Sequence, residues 1–105
     1  MSLDELDPVF QPPKRLAIAA LLNSATSVAF GFLRDHLDIS DSDLSKQMSA
    51  LASAGYVAVS KTRPGRGGST TYRITREGRR AFAHHRSALA ALLDPTVPDG
   101  VDADF

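Results

Sequence analysis

The sequence predicts a mainly α-helical domain with one small β-hairpin, in the order α-α-α-β-β-α. Three observations predict it. Apolar residues recur with helical spacing through most of residues 14–54. After Gly55 the period changes to two, in two β-rich runs on either side of a Gly-rich basic stretch. A last helical pattern then begins after Thr75 and runs to about Asp94, where Pro95 ends it.

Composition limits the class of protein. The chain has 105 residues, 43% of them hydrophobic, which is enough for one domain with a small core. It has no cysteine, so disulfides and thiolate metal sites are excluded. No run of about 18 apolar residues predicts a membrane-spanning helix, and the first residues are acidic where a signal peptide would be basic. We expect a cytoplasmic protein that does not associate with membranes.

The net charge of zero conceals a segregation of charge along the chain. Residues 44–93 contain nine Lys or Arg and one acid, whereas the remainder contains three Lys or Arg and eleven acids. Nine minus one gives about +8 for the first set, and three minus eleven gives about −8 for the second. A basic half is what a phosphate backbone needs locally.

The first 13 residues form an apolar arm ahead of the helices. Leu3, Leu6 and Phe10 have i, i+3, i+7 spacing, which allows a short helix, and Pro12-Pro13 ends it. We expect this arm to lie at a dimer interface.

Two helices are predicted next. Residues 14–24 are apolar on most sides, as in a central core helix. Residues 28–38 place Phe30, Leu33 and Leu37 on one stripe. A short turn through Ile39 leads to the third helix, and this spacing is typical of a helix-turn-helix.

The third helix, residues 40–54, has clear ends. Ser40 is a good N-cap, and Gly55 suits the left-handed conformation that follows a helix. Leu44, Met48 and Leu51 form one apolar stripe. The opposite face is small and polar, so it could enter the major groove of DNA, although a solvated face is the simpler interpretation of such a helix alone.

A β-hairpin with a basic tip follows. Residues 56–61 and 70–74 alternate as strands, and residues 62–69 between them contain three Gly, one Pro and two Arg. A solvated tip is the alternative to a contact with DNA.

The last helix, together with the arm, is expected to form the interface between two copies of the chain, because the apolar stripe of this helix is larger than a small core can cover. Intramolecular packing is the alternative. The expected interface residues, all apolar except one histidine, are Leu3, Leu6, Phe10, Phe82, His85, Leu89, Leu92 and Leu93. Four segments result: arm 1–13, DNA-binding core 14–75, dimerisation helix 76–94 and mobile acidic tail 95–105.

Five stretches follow one another in the chain: Arg15-Leu16-Ala17-Ile18, Phe30-Gly31-Phe32-Leu33-Arg34, Leu44-Ser45-Lys46-Gln47-Met48-Ser49-Ala50-Leu51, Ala54-Gly55-Tyr56-Val57 and Thr71-Tyr72-Arg73-Ile74-Thr75-Arg76-Glu77-Gly78-Arg79. In this order they resemble the small winged helix-turn-helix transcriptional regulators of the MarR/ArsR-like kind. The resemblance covers about four-fifths of the chain. It implies a winged helix fold and a homodimer that regulates transcription by binding a pseudo-palindromic operator.

By position, the resemblance implies that helix 40–54 reads the major groove and that the wing, 62–69, contacts the minor groove or backbone. The residues expected at DNA are polar or basic: Ser42, Ser45, Lys46, Gln47, Ser49, Lys61, Arg63, Arg66, Arg73 and Arg76. The sequence departs from the common pattern at Asp41 and Asp43, whose carboxylates would repel phosphate.

Other functions are less well supported. No metal site is expected, because adjacent histidines on a helix, such as His84 and His85, diverge by about 100°. No cofactor and no enzymatic activity are expected, because no nucleophile–base pair or phosphate-binding loop is recognisable. The alternative is a winged helix that binds another protein without reading DNA. An effector ligand cannot be inferred from these residues.

Overall fold

The fold is helical, with a small antiparallel sheet on one side. The computed structural model describes residues 2–61 and 69–100. In order they form α1 (Pro13–Asn23), β1 (Val28–Ala29), α2 (Phe30–Leu37), α3 (Asp41–Ser53), β2 (Val57–Lys61), β3 (Thr70–Ile74) and α4 (Arg76–Leu93). The predicted fold class is therefore confirmed. Most of the predicted wing tip, residues 62–68 with Arg63 and Arg66, lies outside the described residues.

The arm contains two short 3₁₀ turns, Leu3–Glu5 and Pro8–Phe10, in place of the one short helix that the apolar spacing allows. Each turn is capped by the residue before it. Ser2 accepts a hydrogen bond from the amide of Asp4, and the Asp7 carboxylate accepts one from the amide of Val9. Pro8 fixes the backbone at the start of the second turn, which places Phe10 against the domain.

The sheet has three strands in the order β1-β3-β2, all antiparallel. The prediction that Val28 and Ala29 belong to a helix is wrong. Val28 pairs with Tyr72 and Ala29 with Thr71, so both form a strand, and α2 begins only at Phe30. The β-branched Val28 suits the strand, where it packs against the core from one face of the sheet.

The core lies where α1, α2, α3 and α4 meet the sheet. Its members are nearly all aliphatic, joined by two phenylalanines: Phe10, Ile18, Ala19, Leu22, Leu33, Leu44, Met48, Leu51, Val57, Ile74 and Phe82. The stripe predicted for the third helix, Leu44, Met48 and Leu51, is fully buried at 0, 3 and 0% exposure. Because this stripe holds α3 against the core, the opposite face of α3 is turned to solvent.

Candidate nucleic-acid interface

A polar stripe runs along the exposed face of α3. Ser42, Lys46 and Ser49 are exposed at i, i+4 and i+7, and Ser53 continues the stripe at i+11. Sequence reasoning missed Ser53, although the same spacing could have found it. The stripe has one cation, three hydroxyls and no long apolar side chain. Such a surface can donate to and accept from base edges.

Both ends of α3 are fixed by local interactions that the sequence predicted. The hydroxyl of Ser40 accepts a hydrogen bond from the amide of Asp43 at 3.1 Å, so one of the free N–H groups of the first turn is satisfied. Gly55 follows the helix with φ of +83°, in the left-handed region where a side chain would be strained. The cap at Ser40 and the turn at Gly55 therefore fix where α3, the helix proposed to contact DNA bases, begins and ends.

The two acids in the first turn of α3 are paired with basic residues from other helices. Asp43 contacts the ammonium of Lys14 on α1, and the carboxylate of Asp41 accepts a hydrogen bond from Arg34 of α2 at 3.2 Å. The hydrogen bonds from Lys14 and then Gln47 hold the pKa of Asp43 below its usual range. Each carboxylate at the start of α3 therefore has a basic partner, with Arg34 shared between Asp41 and Asp35, so the repulsion of phosphate expected there is reduced.

Gln47 lies at the edge of the exposed face and is half-buried. Its side-chain amide donates to the Asp43 carboxylate at 2.9 Å, and Asp43 in turn contacts Lys14. The amide therefore faces α1 and is occupied. Among the five α3 residues predicted to read DNA, Gln47 is the one that is half-buried, whereas the other four are exposed.

The structure brings part of the hairpin next to α3. A groove between the two elements is lined by Ser45 and Ser49 of α3 and by Lys61 of β2. All three side chains are exposed. Ser45 and Ser49, which are predicted to contact bases, and Lys61, which is predicted to contact phosphate, therefore lie on one surface.

Two other predicted DNA contacts lie elsewhere on the domain. Arg73 pairs with Ala58, whereas Lys61 pairs with Thr70. Because side chains alternate along a strand, Arg73 projects from the sheet face opposite to Lys61. Arg76 opens α4 beside Gly55, at the end of α3 remote from Ser42.

The structure corrects part of the predicted dimer interface. Phe10, Phe82 and His85 are buried within the chain itself, with 0, 6 and 2% exposure. They are therefore core residues and present no surface to a second subunit. The other predicted members differ, because Leu3 and Leu93 are 64 and 73% exposed.

The three remaining predicted interface residues, Leu6, Leu89 and Leu92, are half-buried. With Leu3 and Leu93 they belong to the first 3₁₀ turn, its edge and the second half of α4. The turn and the helix are in contact with each other. An apolar surface is thus left on the arm and the last helix after the core has formed.

The arm is held to the domain by a polar cluster of three residues. The amide of Asp7 donates to Nδ1 of His85 at 2.8 Å, and the hydroxyl of Tyr56 donates to the Asp7 carboxylate at 2.7 Å. The bond to Asp7 raises the pKa of Tyr56 to about 12, so its phenol stays protonated. Since Nδ1 of His85 accepts a hydrogen bond, the neutral imidazole has its proton on Nε2.

Within residues 2–61 and 69–100, no group of three or more His, Cys, Asp or Glu side chains is arranged to hold a metal ion. In the same part of the chain, no helix has the length and apolar character needed to cross a membrane.

The order of elements and the exposed third helix define a winged helix-turn-helix domain, the fold class of many transcriptional regulators. The chain belongs to the winged helix DNA-binding domain family, whose model matches residues 14–93. This confirms the resemblance drawn from the sequence. Solved structures that are similar to the chain include transcriptional regulators. No curated protein matches the chain in sequence.

Solved structures agree with this fold. The chain is similar to the transcriptional regulator homologue protein from Pyrococcus horikoshii OT3, at 25% identity and a TM-score of 0.75 over 81% of this chain and 84% of that one. A Porphyromonas gingivalis W83 protein assigned to the MarR family of transcriptional regulators is 17% identical, with a TM-score of 0.65 over 84% of this chain and 85% of that one.

A third similar structure is Streptococcus pneumoniae FabT in complex with DNA. It is 16% identical, with a TM-score of 0.62, over 77% of this chain and 56% of the FabT chain. This chain therefore spans little more than half the length of FabT.

Proposed function

We propose that the protein is a sequence-specific regulator of transcription that binds double-stranded DNA as a homodimer, with α3 in the major groove. The observation that best supports this is the exposed stripe of Ser42, Lys46, Ser49 and Ser53, held outward by the buried stripe on the other face of α3. The major groove is wide enough for one helix, and hydroxyls and a lysine can bond to base edges there. The FabT complex shows the same fold bound to DNA.

Within this proposal the other basic residues bind phosphates, which gives affinity without reading sequence. Lys61, beside the α3 groove, is best placed for this role. The wing residues 62–69, with Arg63 and Arg66, would contact the minor groove or backbone. Arg73 and Arg76 become secondary candidates, because they project from other surfaces. The protein would act in the cytoplasm, together with the DNA.

The basic test is a fluorescence anisotropy titration with a random-sequence duplex at low salt. Binding that weakens steeply with added salt is expected, because phosphate contacts release counterions. If no binding appears at tens of micromolar protein, the DNA-binding proposal fails. The alternative would then be a winged helix that binds protein, which the exposed Phe32, stacked on His36 of α2, would favour.

Lys46→Ala and Lys61→Ala should affect DNA binding differently. Lys46 lies on the reading face of α3, so its loss should relax preference at one base position, by about 1–3 kcal/mol of discrimination. Lys61 is expected to contact phosphate, so its loss should weaken all sequences alike and reduce the salt slope by about 1. Competition between selected and random duplexes measures both effects. An identical loss of preference in both variants would contradict the assignment.

The homodimer is proposed to form through the apolar surface left by the arm and α4. Leu93→Asp places a charge at the most exposed leucine of that surface, where folding within the chain depends least on it. We expect sedimentation velocity to show a dimer for the parent chain and a monomer for this variant. Phe32→Asp, on an equally apolar exposed position of α2, is the control and should remain dimeric. If the Leu93→Asp variant is still a dimer, the interface lies on another surface of the domain.

A dimer matters to the mechanism, because one α3 has a single lysine on its reading face and can supply little affinity alone. Two copies would present two α3 helices to half-sites about one helical turn apart. We therefore expect the Leu93→Asp variant to bind a selected operator more weakly than the parent chain, with binding to a single half-site less affected.

A further inference from the structure

The groove between α3 and the hairpin has an apolar floor, and the polar residues proposed to contact DNA give this floor no role. Its cavity volume is about 240 Å³. The lining residues form a floor of apolar atoms between serine hydroxyls on one side and an ammonium on the other: Ser45, Met48, Ser49, Ala52, Val59, Lys61 and Tyr72.

Val59 is the residue that makes this groove unusual. Val57, two residues earlier on the same face of β2, is buried at 7% exposure, whereas Val59 is 54% exposed. Tyr72, directly opposite on β3, is half-buried and closes the floor beside it. A branched apolar side chain is therefore turned toward solvent at the edge of the surface proposed to meet DNA.

Apart from the buried Met48, the α3 side of the groove is built from small residues. Ser45, Ser49 and Ala52 follow at i, i+4 and i+7, all three are exposed, and none is longer than serine. A flat molecular edge can therefore approach the helix backbone closely. Along the described part of the chain, no acidic side chain lines the groove, and Lys61 lies at its hairpin side. These properties fit a partner with negative charge and a small apolar group.

We propose that this groove takes the 5-methyl groups of thymines on one DNA strand, with Val59 and Ala52 as the contacting residues. The inference rests on the proposed function. The thymine methyl is the apolar group that base pairs present in the major groove, and contact with small apolar side chains is how it is recognised. Burial of one such carbon corresponds to about a fourfold gain in affinity for each methyl contacted. Val59 is thus a specificity-determining residue of the hairpin.

The experiment compares duplexes with and without the methyl group. A sequence selected from a random library is prepared with thymine or with deoxyuridine throughout, and each duplex is titrated with the full chain. We expect the thymine duplex to bind about fourfold more tightly or better. Val59→Thr keeps the side-chain shape and suits a strand, but replaces a methyl group with a hydroxyl. The remaining methyl group and Ala52 can still contact thymine, so this variant should show a smaller preference for the thymine duplex than the parent chain, reduced by up to about fourfold for the methyl contact that is lost.

The matched control is Val97→Thr, the same substitution at an equally exposed valine that follows α4. It should retain the full thymine preference. Equal binding of the two duplexes by the parent chain would overturn the inference and leave DNA binding intact. An undiminished preference in Val59→Thr would also overturn it, because another element would then contact the methyl groups. No binding of either duplex would refute the proposed function itself.

Discussion

Gly78→Ala is expected to destabilise the domain by about 3 kcal/mol or more, an upper-range value for overpacking. Gly78 lies in the first turn of α4, which packs against Ile74 at the end of β3 and Tyr56 just before β2. A Cβ at this position would lie 2.2 Å from the carbonyl oxygen of Tyr56 and 2.8 Å from Cγ1 of Ile74. Neither neighbour can move freely, because one is backbone and the other is buried in the core.

The obstructing carbonyl is itself fixed. The amide of Thr75 donates to the Tyr56 carbonyl at 2.9 Å, and the Thr75 hydroxyl donates to the Gly55 carbonyl at 2.7 Å. Moving α4 away from the added methyl group would break these bonds and the cap that Thr75 gives to Gly78 at 2.9 Å. The gain in helix propensity from Gly to Ala, about 1 kcal/mol, is too small to compensate.

The chain offers a matched control in Gly31→Ala on α2. A Cβ there meets nothing nearer than a guanidinium nitrogen of Arg34, at 3.7 Å. This variant should be as stable as the parent chain or more stable by up to about 1 kcal/mol, because alanine favours the helix. Urea denaturation gives the free energy of unfolding of both variants. Similar values for the two would show that the contact between α4 and Tyr56 is not tight.

What could be predicted from the sequence was local. The caps Ser40 and Gly55 and the stripe of Leu44, Met48 and Leu51 are all set by residues within one helix, so spacing alone was sufficient. The strand Val28–Ala29 could not be predicted, because two residues give no period and their partners on β3 lie more than 40 positions away. The helical spacing of the residues from Phe30 onward therefore led to a predicted helix that began two residues too early, at Val28.

The candidate site was predictable only in part, because spacing placed Ser42, Lys46 and Ser49 on one face of α3 but did not show what surrounds the predicted residues. The small polar face of α3 followed from spacing. The neutralisation of Asp43 did not, because Lys14 lies 29 positions away on another helix. Likewise, the period of two in the strands implies alternate faces, but sequence alone did not show that Arg73 and Lys61 would project from opposite sides of the sheet.

The second large effect is expected for Phe10→Ala, at about 3–5 kcal/mol of lost stability, the usual cost of removing a buried phenylalanine ring. Phe10 is fully buried, with its ring centroid 5.1 Å from Tyr56, 5.7 Å from Phe82 and 5.6 Å from His85. An apolar spacing in the arm could not distinguish a face covered by the chain itself from one covered by a partner. The burial of Phe10 shows that the arm completes the core.

A role of Phe10 in the core and a role at a dimer interface predict different results for Phe10→Ala. A core role lowers the free energy of unfolding of the monomer, so the effect should persist in the Leu93→Asp background, where no dimer is expected. An interface role would leave that monomer unchanged. Phe32→Ala is the control, because Phe32 is 54% exposed and stacks only on His36 among the described aromatic contacts. Its loss should cost about 0.5 kcal/mol or less, as for most surface substitutions. A similarly small effect for Phe10→Ala in the monomer would mean that the arm does not support the core.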